Sequence, residues 1–473
     1  MLFNTLTFAI FFTVTYALYI NMRHRPQNVL LLIASYVFYG WWDWRFLFLL
    51  AASTLLDYFC ALGIQRADRP SERRRFLVMS LCGNLGMLGF FKYFGWFAHS
   101  FQELAAGFGW QVDAFTLHVV LPVGISFYTF QTMSYVIDVY RRQVPATHDL
   151  LDFALSVAFF PHLVAGPIQR SSSLLPQIER PRQLTETQFY QGIWLVFLGL
   201  FKKVFIADNL APMVNQTFAA GHAPSGVEVV VAVYAFAFQI YGDFSGYSDI
   251  ARGISKMMGF ELMLNFRIPY FARNPRDFWH RWHISLSTWL RDYLYVSLGG
   301  SRQGTARMYA NLMLTMLLGG LWHGAAWTFV LWGFYQGALL VAYRMLSPAI
   351  ARVRRAFGQA ERTWTVLSIA VTFQLVCLGW LIFRAESVTQ VVGFLRSVVF
   401  GFGDLSAVRE DIARIGFYVL PLLALQVYKE ASGDMHAIDR LDWRARGLAY
   451  LVMAALLASG GASGGQQFIY FQF

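Results

Sequence analysis

Charge is scarce in this chain. Only 14% of its 473 residues are Asp, Glu, Lys or Arg, while 57% are hydrophobic; a soluble domain carries about 25% charged residues. So few polar side chains cannot cover a folded chain in water, which excludes a soluble globular protein and leaves an integral membrane protein. A mean hydropathy of +0.45 agrees. Cysteine is nearly absent. Cys60, Cys82 and Cys377 lie in apolar runs without paired spacing, which argues against a disulfide framework or a thiolate metal site and reads as buried thiols. No Gly-rich phosphate loop of the P-loop or Rossmann type occurs, so nothing supports ATP or NAD use. Low-complexity linkers, long repeats and composition shifts are missing too, and 1–473 reads as one membrane domain. The opening MLFNTLTFAIFFTVTYALYI lacks a basic n-region and a small-residue cleavage site. It reads as a retained span, not a signal peptide.

What is present is a series of hydrophobic runs near the length that crosses about 30 Å of hydrocarbon. They fall at 2–20, 27–42, 46–64, 76–97, 119–140, 188–210, 227–250, 308–330, 331–346, 364–384, 412–429 and 447–460. The expected fold is an all-α polytopic membrane protein with roughly ten to twelve crossings. The run 150–168 is broken by Pro161, Gly166 and Pro167, and fits a re-entrant element better than a span. Loop 65–75 holds Arg66, Arg69, Arg73, Arg74 and Arg75, whereas loops 98–117 and 211–226 hold no Lys or Arg. Basic loops face the cytoplasm, which places the N-terminus outside. The net charge of +11 is scattered over such loops, so the implied partner is the lipid bilayer and not nucleic acid. Segment 347–362 reads either as a basic amphipathic connector at the headgroups or as an ordinary loop.

In such a chain the informative residues are polar ones at membrane depth. Ser126, Tyr128, Thr129 and Gln131 follow Pro122 and Gly124, and serve equally as interhelical glue or a cavity lining. His162 lies in the broken run and reads as structural. Asp243, Ser245, Tyr247 and Asp249 end a span. The two glycines among them make a continuous helix doubtful, and a site lining competes there with a helix cap or turn. Segment 274–295 is too polar to span. Its His280 and His283, three apart, fall on one helical face, and Asp277 and Arg281, four apart, are spaced to pair. A metal held by His280, His283 and His323 is conceivable, but a bare His-x-x-His pair is weak support and no metal is expected. His323 sits in Gly319-Gly320-Leu321-Trp322-His323-Gly324-Ala325-Ala326. The small residues let helices approach or leave a narrow channel. An imidazole at that depth suits a proton relay, a pore lining, a satisfied buried group or a catalytic base.

Eight stretches narrow these readings: ASYVFYGWWDWRF (34–46), GFFKYF (89–94), LPVGISFYTFQTMSYVIDVYR (121–141), FFPHLVAGPIQR (159–170), FKKVFIAD (201–208), DFSGYSDIARG (243–253), FWHRWHISLSTWLRDYLYVSLGG (278–300) and NLMLTMLLGGLWHGAAWTFVLWG (311–333). In this order they resemble the membrane-bound O-acyltransferase family, in its bacterial branch of alginate O-acetyltransferases. Relatives that acetylate other exopolysaccharides such as cellulose are equally similar, and teichoic-acid D-alanyl transferases are more distant. The core motifs run over 121–333. One departure is His280, where members often carry the first Arg of FWRRWH. The chain is also shorter at its C-terminal end than the alginate enzyme, which points away from alginate itself.

The resemblance implies a ring of tilted helices around a thin centre, with a tunnel from each side meeting near the family histidine. That histidine falls on His323, and the second family histidine on His283. Tyr128, Gln131, Asp243, Ser245, Tyr247, Arg281, Trp282, Ser285, Arg291 and Trp322 are the expected lining or substrate contacts. The implied reaction passes acetyl from acetyl-CoA, a substrate and not a bound cofactor, across the bacterial inner membrane. A periplasmic partner of the SGNH type, beside a polysaccharide synthase or secretion complex, would complete O-acetylation of a secreted polymer. A hydroxyl needs a base as the acyl bond forms, and a neutral imidazole suits that task near pH 7. His323 is the expected base, with His283 orienting a reactant or polarising the thioester carbonyl. Arg281, Arg291 and Lys256 are candidate phosphate contacts, and a solvated or lipid-facing role fits them as well. Two rival readings are a polysaccharide export channel without acyl chemistry, which inverted repeats would favour, and transfer of a different acyl chain. No such repeats are visible.

Overall fold

The computed structural model describes residues 1–110, 120–358, 360–435, 437–462 and 468–469. Among them there is no strand. Among the described residues six helices are long and apolar enough to cross a membrane: Phe46–Arg66, Pro70–Gly107, Gly226–Met257, Trp327–Ala356, Glu361–Arg384 and Leu405–Ser432. The protein is an all-α, multi-pass membrane protein. The other expected spans fall on shorter helices or on helices broken by a turn. The chain divides into two compact units, Met1–Val196 with Ile250–Met263, and Phe197–Asp249 with Leu264–Phe473.

The first unit contains α1 (Leu6–Ile20), α2 (His24–Gly40), α3 (Phe46–Arg66), α4 (Pro70–Gly107), α5 (Ile125–Tyr140), α6 (Leu150–Ala158), α7 (Ser171–Glu179) and most of α8 (Glu186–Leu200). The expected span 76–97 is thus the middle of a longer helix, carried through a π turn at Gly89–Tyr93. The expected start at 119 lies outside the described residues, and α5 begins only after Gly124, whose φ is 76°. A β-carbon there would stand 2.8 Å from Leu163 O, so this turn requires glycine. The run 150–168 is broken as its prolines and glycines imply. After α6 the chain bends at Phe159 and makes a single helical turn, Phe160–Leu163. Residues 159–169 are all buried, which is how irregular backbone survives in a membrane protein. Carboxylate Asp57, fully buried on α3, accepts from Ser80 Oγ (2.5 Å) and from Asn84 Nδ2 (2.8 and 2.9 Å) on α4. Such satisfied polar contacts hold membrane helices together.

The second unit contains α9 (Asp208–Phe218), α10 (Gly226–Met257, counted here up to Asp249), α11 (Pro275–Arg281), α12 (Ile284–Trp289), α13 (Thr305–His323), α14 (Trp327–Ala356), α15 (Glu361–Arg384), α16 (Val388–Phe400), α17 (Arg409–Ser432) and α18 (Trp443–Gly460). A π turn, Phe201–Ala207, runs directly into α9. Here the structure corrects the span 308–330. The helix stops at His323, residues Gly324–Ala326 are extended or irregular, and α14 then runs on to Ala356. Much of the expected connector 347–362 is therefore helix. α16 falls where no span was expected. Glycines on both α13 and α14 serve close packing. A β-carbon on Gly320 would stand 2.2 Å from Phe329 O, and one on Gly333 would stand 2.5 Å from Met316 O. α13 and α14 therefore meet backbone to backbone, in the manner of small-residue helix pairs.

Candidate active site

The second unit brings the two family histidines together. His323 is the last residue of α13 and His283 immediately precedes α12. Both are buried, at 5% and 0% exposure. Their ring centroids lie 6.5 Å apart with planes at 64°. That is too far for a hydrogen bond between the two rings.

Each ring is fixed by aromatic walls. His323 meets Trp322, Trp332 and Phe383 at 5.1, 5.1 and 5.3 Å, all near perpendicular. His283 meets Phe244 at 4.7 Å and Trp322 at 5.8 Å. Trp282, Trp332 and Trp380 extend the box, with Trp282 and Trp380 at 4.8 Å. Edge-on rings of this kind hold an imidazole in one orientation. His323 also closes the helix, and the backbone turns extended at Gly324.

His283 adopts a left-handed backbone, φ 42° and ψ 54°. For a residue with a β-carbon this costs about 1–3 kcal/mol and persists only where the surroundings impose it. Asn265 imposes it. The Ile284 N–H donates to Asn265 O (2.9 Å). The Ser285 N–H (3.2 Å) and hydroxyl (2.9 Å) donate to Asn265 Oδ1. A backbone N–H can only donate, so this fixes which end of the amide is oxygen. His283 Nδ1 lies 3.2 Å from the same oxygen and 3.4 Å from Ser285 Oγ, an arrangement that suits a proton on Nδ1. In the neutral ring Nε2 is the accepting nitrogen. Asn265 Nδ2 in turn donates to Ser248 Oγ (3.4 Å) on α10. The sequence reading missed Asn265. Its only signal was an isolated amide in ELMLNFRIPYF. Replacing Asn265 with alanine is expected to lower kcat by about 10–100-fold with little change in KM, because the ring loses its positioning. Asn265→Asp, which keeps the accepting oxygen, should retain more activity. Steady-state acetyl transfer on the two variants checks this.

The expected contacts separate into groups. Ser285 and Trp322 belong to the histidine pair, and Trp282 to its wall. Asp243, Ser245 and Tyr247 lie on α10, which continues through Gly242 and Gly246. This corrects the expected break. A β-carbon on Gly242 would come within 2.9 Å of Lys202 O, and one on Gly246 within 2.7 Å of Gly199 O. The glycines seat α10 against the π turn. There Lys203 Nζ reaches Asp243 Oδ1 (2.6 Å) and Asp208 Oδ1 (2.8 Å), and Lys202 Nζ reaches Asp249 Oδ2 (2.6 Å). The reading of the sequence gave these lysines no role. Two lysines in an apolar run, with two aspartates in the next, were the available signal. Arg281 pairs with Asp277 Oδ1 (3.0 Å), as its spacing implied, and makes a two-pronged contact to Glu430 (3.0 and 3.2 Å). Arg291 pairs with the adjacent Asp292 (2.7 Å) and, in the first unit, Lys256 with Glu261 (2.7 Å). His280 and His283 do not share a face, because α11 ends at Arg281 and the chain turns left-handed at His283.

Tyr128 and Gln131 lie in the first unit, Tyr128 in a hydrogen bond with Tyr39 and Gln131 beside a third buried histidine. His162 Nε2 is 2.8 Å from Gln131 Oε1, and Gln131 Nε2 donates to Ser156 O (2.6 Å).

The family model of the membrane-bound O-acyltransferases matches residues 141–382, a stretch that holds both histidines. The chain is 44% identical to the probable alginate O-acetylase of Pseudomonas aeruginosa, over 90% of this chain and 81% of that one. The chain belongs to the membrane-bound O-acyltransferase family. To the probable alginate O-acetylase of Pseudomonas putida it is 39% identical, over 100% of both chains, so the expected shortfall at the C-terminal end does not separate it from this relative. It is 32% identical to the peptidoglycan O-acetyltransferase of Helicobacter pylori, over 100% of this chain and 98% of that one. This member of the family is thus an O-acyltransferase of the alginate O-acetylase type, and the buried histidine pair is its candidate catalytic centre.

Proposed function

We propose that this O-acyltransferase takes acetyl from acetyl-CoA on the cytoplasmic side and delivers it across the inner membrane for O-acetylation of a secreted polysaccharide. The reading rests on one observation above all: two buried imidazoles, 6.5 Å apart in a single aromatic box. In the step we infer, His323 removes the proton of the acceptor hydroxyl as its oxygen attacks the thioester carbonyl. The carbon–sulfur bond then breaks, and the proton passes from His323 to the departing thiolate. His283, with Nδ1–H held by Asn265, turns an accepting nitrogen toward an N–H or O–H of a reactant. Its tautomer therefore favours orienting a reactant over polarising the carbonyl. The walls of Trp322, Trp332 and Phe383 keep water from competing for the acyl group.

The immediate acceptor is a hydroxyl on a periplasmic partner, which passes acetyl to the polymer beside its synthase or secretion machinery. Similarity to alginate and peptidoglycan acetylating enzymes supports a polysaccharide as the final recipient. The test compares secreted polymer from cells with and without the gene by mass spectrometry. Ester-linked acetyl should disappear without the protein while polymer continues to be secreted. Loss of secretion with acetylation intact on the remaining polymer would overturn the proposal in favour of export. Incorporation of a longer acyl group in place of acetyl would overturn the choice of donor.

A further inference from the structure

The start of α4 carries three successive arginines, and only the first is used to hold the fold. Arg73 donates to Ile64 O (2.8 Å) and Tyr140 O (2.9 Å), and its guanidinium lies 5.8 Å from the centre of the Tyr140 ring. Arg74 and Arg75 are exposed, and among the described residues no ion pair reaches either. The acid of the same turn, Glu72, faces Arg69 instead, at 3.9 Å.

Beside the two arginines opens a groove of about 710 Å³, floored by Val78, Met79 and Cys82 and closed on one side by Tyr140 of α5. Arg74, Val78 and Cys82 are spaced by four residues, as are Arg75 and Met79, so they form one stripe along the helix. At 1.5 Å per residue Cys82 lies about 12 Å further along the axis than Arg74. The groove is therefore cationic at its mouth and apolar below, over the distance from headgroups to upper acyl chains. Val78 and Met79 stay 47% and 48% exposed, so the protein itself leaves this floor open.

The geometry points to a binding site for an anionic glycerophospholipid of the inner leaflet. Its phosphate meets Arg74 and Arg75, and an acyl chain lies along Val78, Met79 and Cys82. Charge decides the class, since two unpaired guanidinium groups beside apolar surface favour a net-negative headgroup over a zwitterionic one. Shape decides against a free phosphate, which would engage the mouth and leave the floor uncovered. The basic loop is the cytoplasmic one by its charge, and that leaflet is where anionic lipid gathers. The site stands apart from the histidines and does not rest on the acyl-transfer reading.

The test uses the full chain in mild detergent, with phosphatidylglycerol or phosphatidylcholine added. Retained lipid is read by mass spectrometry and the melting midpoint by intrinsic fluorescence. Phosphatidylglycerol should be retained and should raise the midpoint more than phosphatidylcholine. The double variant R74Q/R75Q should weaken its apparent affinity by about 10–30-fold. Cys82→Trp, which fills the groove without changing charge, should weaken it as well. R352Q/R355Q, which removes two exposed arginines elsewhere, should leave it unchanged. Equal retention by R74Q/R75Q overturns the site. So does an equal loss in R352Q/R355Q, or inorganic phosphate raising the midpoint as much as phosphatidylglycerol.

Discussion

Replacing His323 with alanine is expected to lower acetyl transfer by about 10²–10⁴-fold, the usual contribution of a positioned general base. Purified protein in proteoliposomes, labelled acetyl donor and counted acceptor give the measurement. The fall should appear in kcat, because the imidazole acts as the proton moves. The fold should survive, since a buried ring is removed and no charge is stranded. The hole is lined by Trp322, Trp332 and Phe383, and stability drops by the few kcal/mol typical of an emptied core position. A melting curve on the same sample separates the two effects. Transfer at the normal rate in a folded His323→Ala protein would remove His323 from the chemistry. His323→Gln, which keeps bulk and polarity but cannot take up the proton, should be as slow as the alanine variant.

Sequence made the helical architecture and the key histidines legible because both depend on local signals. Hydrophobic runs mark the spans whatever packs around them, and the GLWHG and RWHISLS stretches mark His323 and His283. What stayed hidden depends on contacts between distant segments. Nothing local in 308–330 says that the helix stops at His323; the stop follows from Gly320 and Gly333 drawing two helices together so that the chain must turn at Gly324. The equal spacing of His280 and His283 suggested one helical face, yet a left-handed residue between helices intervenes, held by Asn265 from 18 positions upstream. Gly242 and Gly246 looked like helix breakers, because glycine is judged by its intrinsic cost. In the structure they are the points where the helix must touch a π turn. Lys202 and Lys203 were passed over because a pair of cations in an apolar run has meaning only once Asp208, Asp243 and Asp249 are known to surround it.

The second large effect concerns that ion cluster. Lys203→Met is expected to destabilise the protein by about 3–5 kcal/mol, the cost of breaking a buried ion pair from one side. Lys203 Nζ holds both Asp243 and Asp208, and all three side chains are nearly closed to solvent, at 9%, 4% and 2% exposure. Without the ammonium, two carboxylates remain buried together with no cation between them. That loss is a large part of the 5–15 kcal/mol by which a typical fold is stable, so the variant should show reduced yield and a lower melting midpoint. Neutralising the acids as well, in a triple variant with Asp208→Asn and Asp243→Asn, should recover most of the stability, because a buried ion group replaced as a whole costs little. The same triple variant separates charge from position. Asp243 Oδ2 accepts the Ile469 N–H at 2.7 Å, and the next residue, Phe244, lies edge-on to His283 at 4.7 Å. Asparagine at 243 keeps an accepting oxygen and leaves Phe244 in place. A stable triple variant with near-normal transfer means the lysine serves the fold alone. A stable triple variant with slow transfer means the charge cluster also sets the position of His283.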